Sequence, residues 1–203
     1  MKPWLSVVIP TIGRPSLQMT LDALAAQPES SGVEVLVVGD TFGGRTPNLE
    51  DAQIRVELAG YRWLEHDAGV HCVGQPQRTY GARQARAPWV WFGQDDNVPA
   101  QDSLAAIEFA IDEQPHARPL FFRTRTHWGA VVWRQPQLAF GDIDADCLVF
   151  PRHIAHAVNW GLRYEGDYDA AREALTLSSG DVAWLEDIVA IARPQPGQFW
   201  WRQ

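Results

Sequence analysis

Apolar residues fall in two kinds of run along this chain. Residues 4–10 (WLSVVIP) and 33–40 (VEVLVVGD) are continuous and rich in β-branched side chains, the pattern of strands covered on both faces. Between them Leu17, Leu21 and Leu24 recur at helical spacing, with Pro15 suited to a first helical position and Pro28 ending the run. Strand, helix and strand at this spacing form a βαβ unit and predict a parallel sheet. Residues 41–51 (TFGGRTPNLED) are Gly/Pro-rich and read as a loop, and 61–66 (YRWLEH) as a third strand. A short helix over 77–87 carries three arginines and leads into a strand at 88–92. A helix over 102–114 follows, then a strand pair within 119–135 that turns at Trp128-Gly129. A helix over 167–175 has acids in its first turn, where they suit the helix dipole, and 182–194 is late strand material. Alternating β and α units followed by mixed elements predict a doubly wound α/β sheet whose second half is modified. No repeat, low-complexity tract or linker divides the pattern, so one domain is expected over 1–203.

Composition narrows the picture a little. Hydrophobic residues make up 46% and charged residues 21%, which fits a globular domain with a real core. The net charge of -8 argues against a broad nucleic-acid surface. Cys72 and Cys147 form no CxxC pair, so a zinc ribbon is excluded and a reducing, cytoplasmic setting is expected. The six histidines make no HExxH or Cys/His ligand set. No run approaches the roughly 18 apolar residues of a membrane span. The ten tryptophans are unusual, and suit either core filling or the stacking of flat ligands.

Chemistry enters at residues 89–99, WVWFGQDDNVP. An apolar strand runs into Gln94, Asp95, Asp96 and Asn97. Adjacent acids repel unless water or a cation lies between them, and a metal ion answers that need. Ligands of doubly wound sheets bind at the carboxyl ends of the strands, so Asp40 and the Asp95-Asp96 pair are placed to converge. The first βα turn, IPTIGRPS, has neither GxGxxG nor the P-loop pattern. Two carboxylates holding Mg²⁺ or Mn²⁺ against a diphosphate are the natural substitute.

LSVVIPTIGRPSLQMTLDAL, then VEVLVVGD, then GARQARAPWVWFGQDDNVP, taken in that order, resemble the family 2 glycosyltransferases of GT-A fold. The likeness covers about the first half of the chain. It implies a Rossmann-like, doubly wound mixed sheet with helices on both faces, residues 1–99 binding a nucleotide-diphospho-sugar and 100–203 holding the acceptor and catalytic base. It further implies that Pro10, Thr11 and Arg14 line the nucleotide pocket, that Asp40 reads the base, and that Arg83 approaches the nucleotide or its phosphates. Three positions depart from the family pattern. Gly39-Asp40 stands where Asp-Asp is common, Gln94 where the first acid of Asp-x-Asp falls, and Gly166 where a Glu precedes the usual base. Gln94 is left to hydrogen-bond a ribose. Asp96 becomes the expected metal ligand, with Asp95 beside it.

In the second half, EGDYDAAREAL resembles the family's late acidic helix start and assigns the base of an inverting transfer to Asp167. Glu186-Asp187 is a rival pair in a poorer setting. Asp142, Asp144 and Asp146 alternate and would share one face of a strand, with Asp144 the expected sugar or acceptor contact. Trp128, Trp133 and Trp160 suit either stacking on a sugar face or core filling, with the core the default for each and Trp128 the candidate sugar or acceptor contact. The expected acceptor is a glycan, a small molecule, a protein or a hydroxylated base in phage-type DNA. Other readings are a binding module that has lost its chemistry and, less well matched, a nucleotidyltransferase.

Overall fold

The computed structural model of the chain describes residues 2–114 and 116–194. The first half follows the predicted alternation. It runs β1 (Leu5–Thr11), α1 (Leu17–Ala25), β2 (Val33–Asp40), α2 (Pro47–Leu58), β3 (Arg62–His66), α3 (Gln75–Gln84) and β4 (Trp89–Phe92). Next come β5 (Asn97–Pro99), α4 (Ser103–Asp112), β6 (Leu120–Thr126), β7 (Val131–Val132) and β8 (Leu148–Pro151). The described chain ends with α5 (Arg152–Ala157), α6 (Gly166–Leu177) and β9 (Ala183–Ala192). The strands make one sheet in the order β3-β2-β1-β4-β8-β6-β9-β5, with β7 paired to β6. β1 to β4 run parallel to their neighbours, and the direction reverses where β8 pairs antiparallel with β4.

Why the early strands are apolar throughout is visible in β1. Leu5, Val7 and Ile9 point to one face and pack with Leu17, Leu21 and Leu24 of α1, with Ala52 and Val56 of α2, and with Leu104 and Ile107 of α4. Val8 points to the other face, where Leu36, Val38, Phe92 and Phe150 meet Ala82 of α3, Ile154 of α5 and Ala170 of α6. Trp133 and Trp160 are fully buried in this second layer. Burying a side chain of the Leu or Phe class contributes roughly 1.5–3 kcal/mol, so two complete layers hold the strand ends rigidly.

Two segments differ from expectation. Residues 47–51, read as loop, begin the helix α2. Pro47 takes its first turn, where a missing N–H costs nothing, and the Thr46 hydroxyl accepts from the Leu49 amide at 3.3 Å. Glycines 43 and 44 masked this start. Residues 142–147, expected to alternate as a strand, instead form a loop and a 3₁₀ turn over Ala145–Cys147 capped by Asp144. Asp142 therefore turns away to pair with Arg134 at 3.4 Å.

Candidate active site

The carboxyl ends of β1, β2 and β4 open into one cavity of about 900 Å³. At one end Asp40 closes β2. Its carboxylate accepts from the Phe42 amide at 3.0 Å and meets His71 Nδ1 at 2.9 Å. His71 in turn packs edge-on against Phe42, with ring centroids 4.8 Å apart. Pro10 lies beside this corner. Gly74, at φ +79°, starts α3 so close to Pro10 that a Cβ would come within 2.7 Å of its ring.

The tip after β4 forms the middle of the cavity. Thr11 Oγ1 donates to Asp95 at 2.7 Å and accepts from the Gly13 amide at 2.9 Å. Arg14 Nη1 spans Asp95 and Asp96, 3.2 Å from each. Arg193 lies 3.3 Å from Asp96. Burial lifts the Asp95 carboxyl above the ordinary range, and the Thr11 hydrogen bond and Arg14 charge pull it partly back.

Behind this tip is an acid pair, Asp146 buried and Asp144 half-buried on the cavity wall. Gln94 Nε2 donates to both Asp144 and Asp146, and Asn97 Nδ2 also donates to Asp146. Burial raises both carboxyls, and the charge of Asp144 drives Asp146 further up. Gln94 thus supplies the N–H that an Asp in its place would lack. Gln94→Asp is therefore expected to weaken the fold by roughly 2–4 kcal/mol at pH 8, through two lost donations and a third like charge. The deficit shrinks toward pH 5 as the added acid takes a proton, and urea unfolding at the two pH values measures it.

Asp167 faces the cavity from the first turn of α6, accepting from the Tyr168 amide at 2.7 Å. Burial, then the charge of Asp144, raises its pKa to about 6 despite the helix dipole. Trp128 sits at the tip of the β6–β7 hairpin, 71% exposed, with its ring edge-on to His127 and on the cavity wall. Tyr164 lines the wall near Asp167.

The site thus brings together Pro10, Thr11, Arg14, Asp40, Gln94, Asp95, Asp96, Asp144, Trp128 and Asp167. It does not bring in Arg83, which is exposed and lies off the cavity. Arg78 of the same helix is the one that points inward. Glu186 is exposed on β9 and pairs with Arg123, away from the cavity. Sequence reasoning missed Arg78, His71 and the inward turn of Asp146. The only signal for Arg78 was its helical phase, about 140° around α3 from Arg83 at 3.6 residues per turn.

No protein-family model matches the chain, and no curated protein matches it in sequence. Solved structures do match in fold. S. aureus TarS superposes with a TM-score of 0.71 at 18% identity, covering 98% of this chain and 38% of that one. The mannosyltransferase PcManGT from Pyrobaculum calidifontis, solved with GDP-Man and Mn²⁺, gives 0.69 at 16% identity, over 100% of this chain and 60% of that one. Glucosyl-3-phosphoglycerate synthase from Mycobacterium tuberculosis, solved with Mn²⁺, UDP and glucosyl-3-phosphoglycerate, gives 0.67 at 13%, over 96% and 73%. The chain spans 38% to 62% of the TarS chains it matches. These likenesses define the architecture: the chain has a GT-A fold, as its sequence led us to expect. Among the described residues no helix is long and apolar enough to cross a membrane.

Proposed function

We propose that this chain is a glycosyltransferase that moves a sugar from a nucleotide-diphospho-sugar to an acceptor hydroxyl with inversion. One observation carries the reading. Asp40 after β2, the Asp95-Asp96 tip after β4 and Asp167 at the start of α6 line a single cavity of about 900 Å³. Its structural neighbours, solved with GDP-Man and Mn²⁺ or with UDP and Mn²⁺, support the donor class.

A divalent cation fits the donor set. Among the described residues no group of three or more His, Cys, Asp or Glu is arranged to hold a metal ion. Mg²⁺ and Mn²⁺ take oxygen ligands and often bind through one or two carboxylates, completing their shell with phosphate and water. Asp96, with Asp95 beside it, would hold the ion. When bound, it supplies Lewis-acid stabilisation of the departing diphosphate. The chain's own residues do the rest. Thr11 fixes the rotamer of Asp95, and Arg14 neutralises the paired acids until the donor arrives. Asp40, held by His71, accepts from the base. Asp167 takes the acceptor proton, and its raised pKa makes it a stronger base than an ordinary carboxylate while leaving it ionised at neutral pH.

Gln94 favours a second reading, a nucleotide-sugar-binding module without turnover, because it removes one charge from the tip. Incubation with Mn²⁺ and a panel of UDP- and GDP-sugars separates the two. A transferase is expected to release free nucleotide, and Mn²⁺ affinity is expected to rise at least tenfold when UDP or GDP is present. Thermal stabilisation by nucleotide with no release from any donor would favour the module. A hydroxylated DNA base gains no support from the site. Of the three arginines in 77–87, Arg83 and Arg86 are exposed and lie off the cavity, and only Arg78 lines it.

A further inference from the structure

Arg78 stands out among the cavity walls. It is 4% exposed, and among the described residues it forms no ion pair within 4.0 Å. Its Nη1 donates to the Val73 carbonyl at 3.0 Å and to Gln75 Oε1 at 3.3 Å. Its guanidinium lies 5.2 Å from the centroid of the Trp160 ring. Its Nε is buried with no hydrogen-bond partner. A buried cation without a paired counter-ion is costly. The cost grows here because the side chain reaches back over the first turn of its own helix, α3, where the dipole is already positive. An anion in the cavity would relieve both penalties. A guanidinium over a helix N-terminus suits a phosphate in particular.

The surroundings say which phosphate. The acids whose charges act on Arg78 are Asp146, Asp144, Asp167 and Asp95, the group at the tip and beyond it. A diphosphate entering that region without a cation would meet only repulsion from them.

We propose that Arg78 binds the sugar-bearing phosphate of the donor and takes up the charge that forms there as the sugar leaves. This rests on the donor class proposed above. In the displacement the acceptor oxygen bonds to the anomeric carbon, and its proton passes to Asp167. The bond from the anomeric carbon to the phosphate oxygen breaks, and its electron pair stays on that oxygen. The Arg78 guanidinium, which lines the cavity, donates to this phosphate, which makes Arg78 a catalytic residue.

The test compares wild type, Arg78→Gln and Arg78→Lys for binding of inorganic pyrophosphate, UDP, GDP, uridine and guanosine by calorimetry at constant Mg²⁺. Arg78→Gln is expected to weaken pyrophosphate and the preferred nucleoside diphosphate by roughly 10- to 100-fold, and the matching nucleoside less than twofold. Arg78→Lys keeps the charge that balances the acids but loses the fork. It is expected to lose less, and it carries the comparison if the Gln variant does not fold. Unchanged pyrophosphate and diphosphate binding in the variants would overturn the inference, as would an equal loss for nucleoside and diphosphate. Pyrophosphate binding that depends on Arg78, with no nucleotide bound by wild type, would uphold the anion site and sink the donor class instead. If wild type binds none of the five, both fall.

Discussion

Asp167→Asn is expected to lower kcat by roughly 10²- to 10⁴-fold while free nucleoside diphosphate binds within a few-fold of wild type. The amide keeps the shape of the side chain and its place at the start of α6, so only the proton acceptor is lost. A pH profile sharpens the test. Because the carboxyl titrates at about 6, wild-type kcat/KM should rise with pH and level off above that value, and the residual activity of the variant should lack this limb. Stability gives an independent readout. A carboxyl with a raised folded-state pKa binds its proton more tightly in the folded protein than in the unfolded chain. Its unfavourable contribution is absent below about pH 4, grows as pH climbs to about 6, and then stays. The Asn variant should therefore melt at a higher temperature than wild type at pH 8 and at the same temperature near pH 4. A variant with full activity, or with the same limb, would remove Asp167 from the chemistry.

Gly166→Glu would place here the acid common in the family that the sequence resembles, and it is expected to destroy the site. A Cβ at Gly166 would lie 2.2 Å from the Trp160 carbonyl oxygen and 2.6 Å from Gln75 Cδ. The first is backbone, anchored by a Trp160 side chain that is fully buried, so it has little freedom to retreat. The start of α6 must move instead, taking Asp167 with it. Overpacking of this kind typically costs 1–3 kcal/mol, and a contact this short with backbone places the expected loss at or above about 3 kcal/mol. Urea unfolding measures the loss. Gly166→Ala should already show most of it, which would separate the steric cause from any effect of the added charge.

The frame was legible because β1, β2 and β4 are largely apolar, buried runs and α1 repeats leucine at helical spacing, whereas β3 is only partly buried and the start of α2 was hidden behind two glycines. What a linear pattern did not carry was depth. Whether Arg78 or Arg83 faces the cavity depends on the rotation of α3, and that is set by Gly81, whose bare Cα lets the helix lie against Val8 and Val38. The turn that sends Asp146 inward and Asp142 outward is a 3₁₀ element too short to leave a periodicity. The three departures from the family pattern become intelligible only in space. Gly39 leaves room for the Trp63 ring, which would sit 2.6 Å from a Cβ there. Gln94 donates to both acids of the Asp144-Asp146 pair. Gly166 admits the close approach of two helix starts.

Trp128 hangs from a strand pair only two residues long on one side, joined to the sheet by Thr124–Val132 and Arg125–Val131. The Asp40 corner instead ends β2, a strand paired along its length with β1 and β3. Lengthening, trimming or exchanging residues 127–130 would therefore leave both packed layers untouched while reshaping the cavity wall around Trp128. Under the proposed transfer, that makes this tip the place to diversify a library in search of new acceptors.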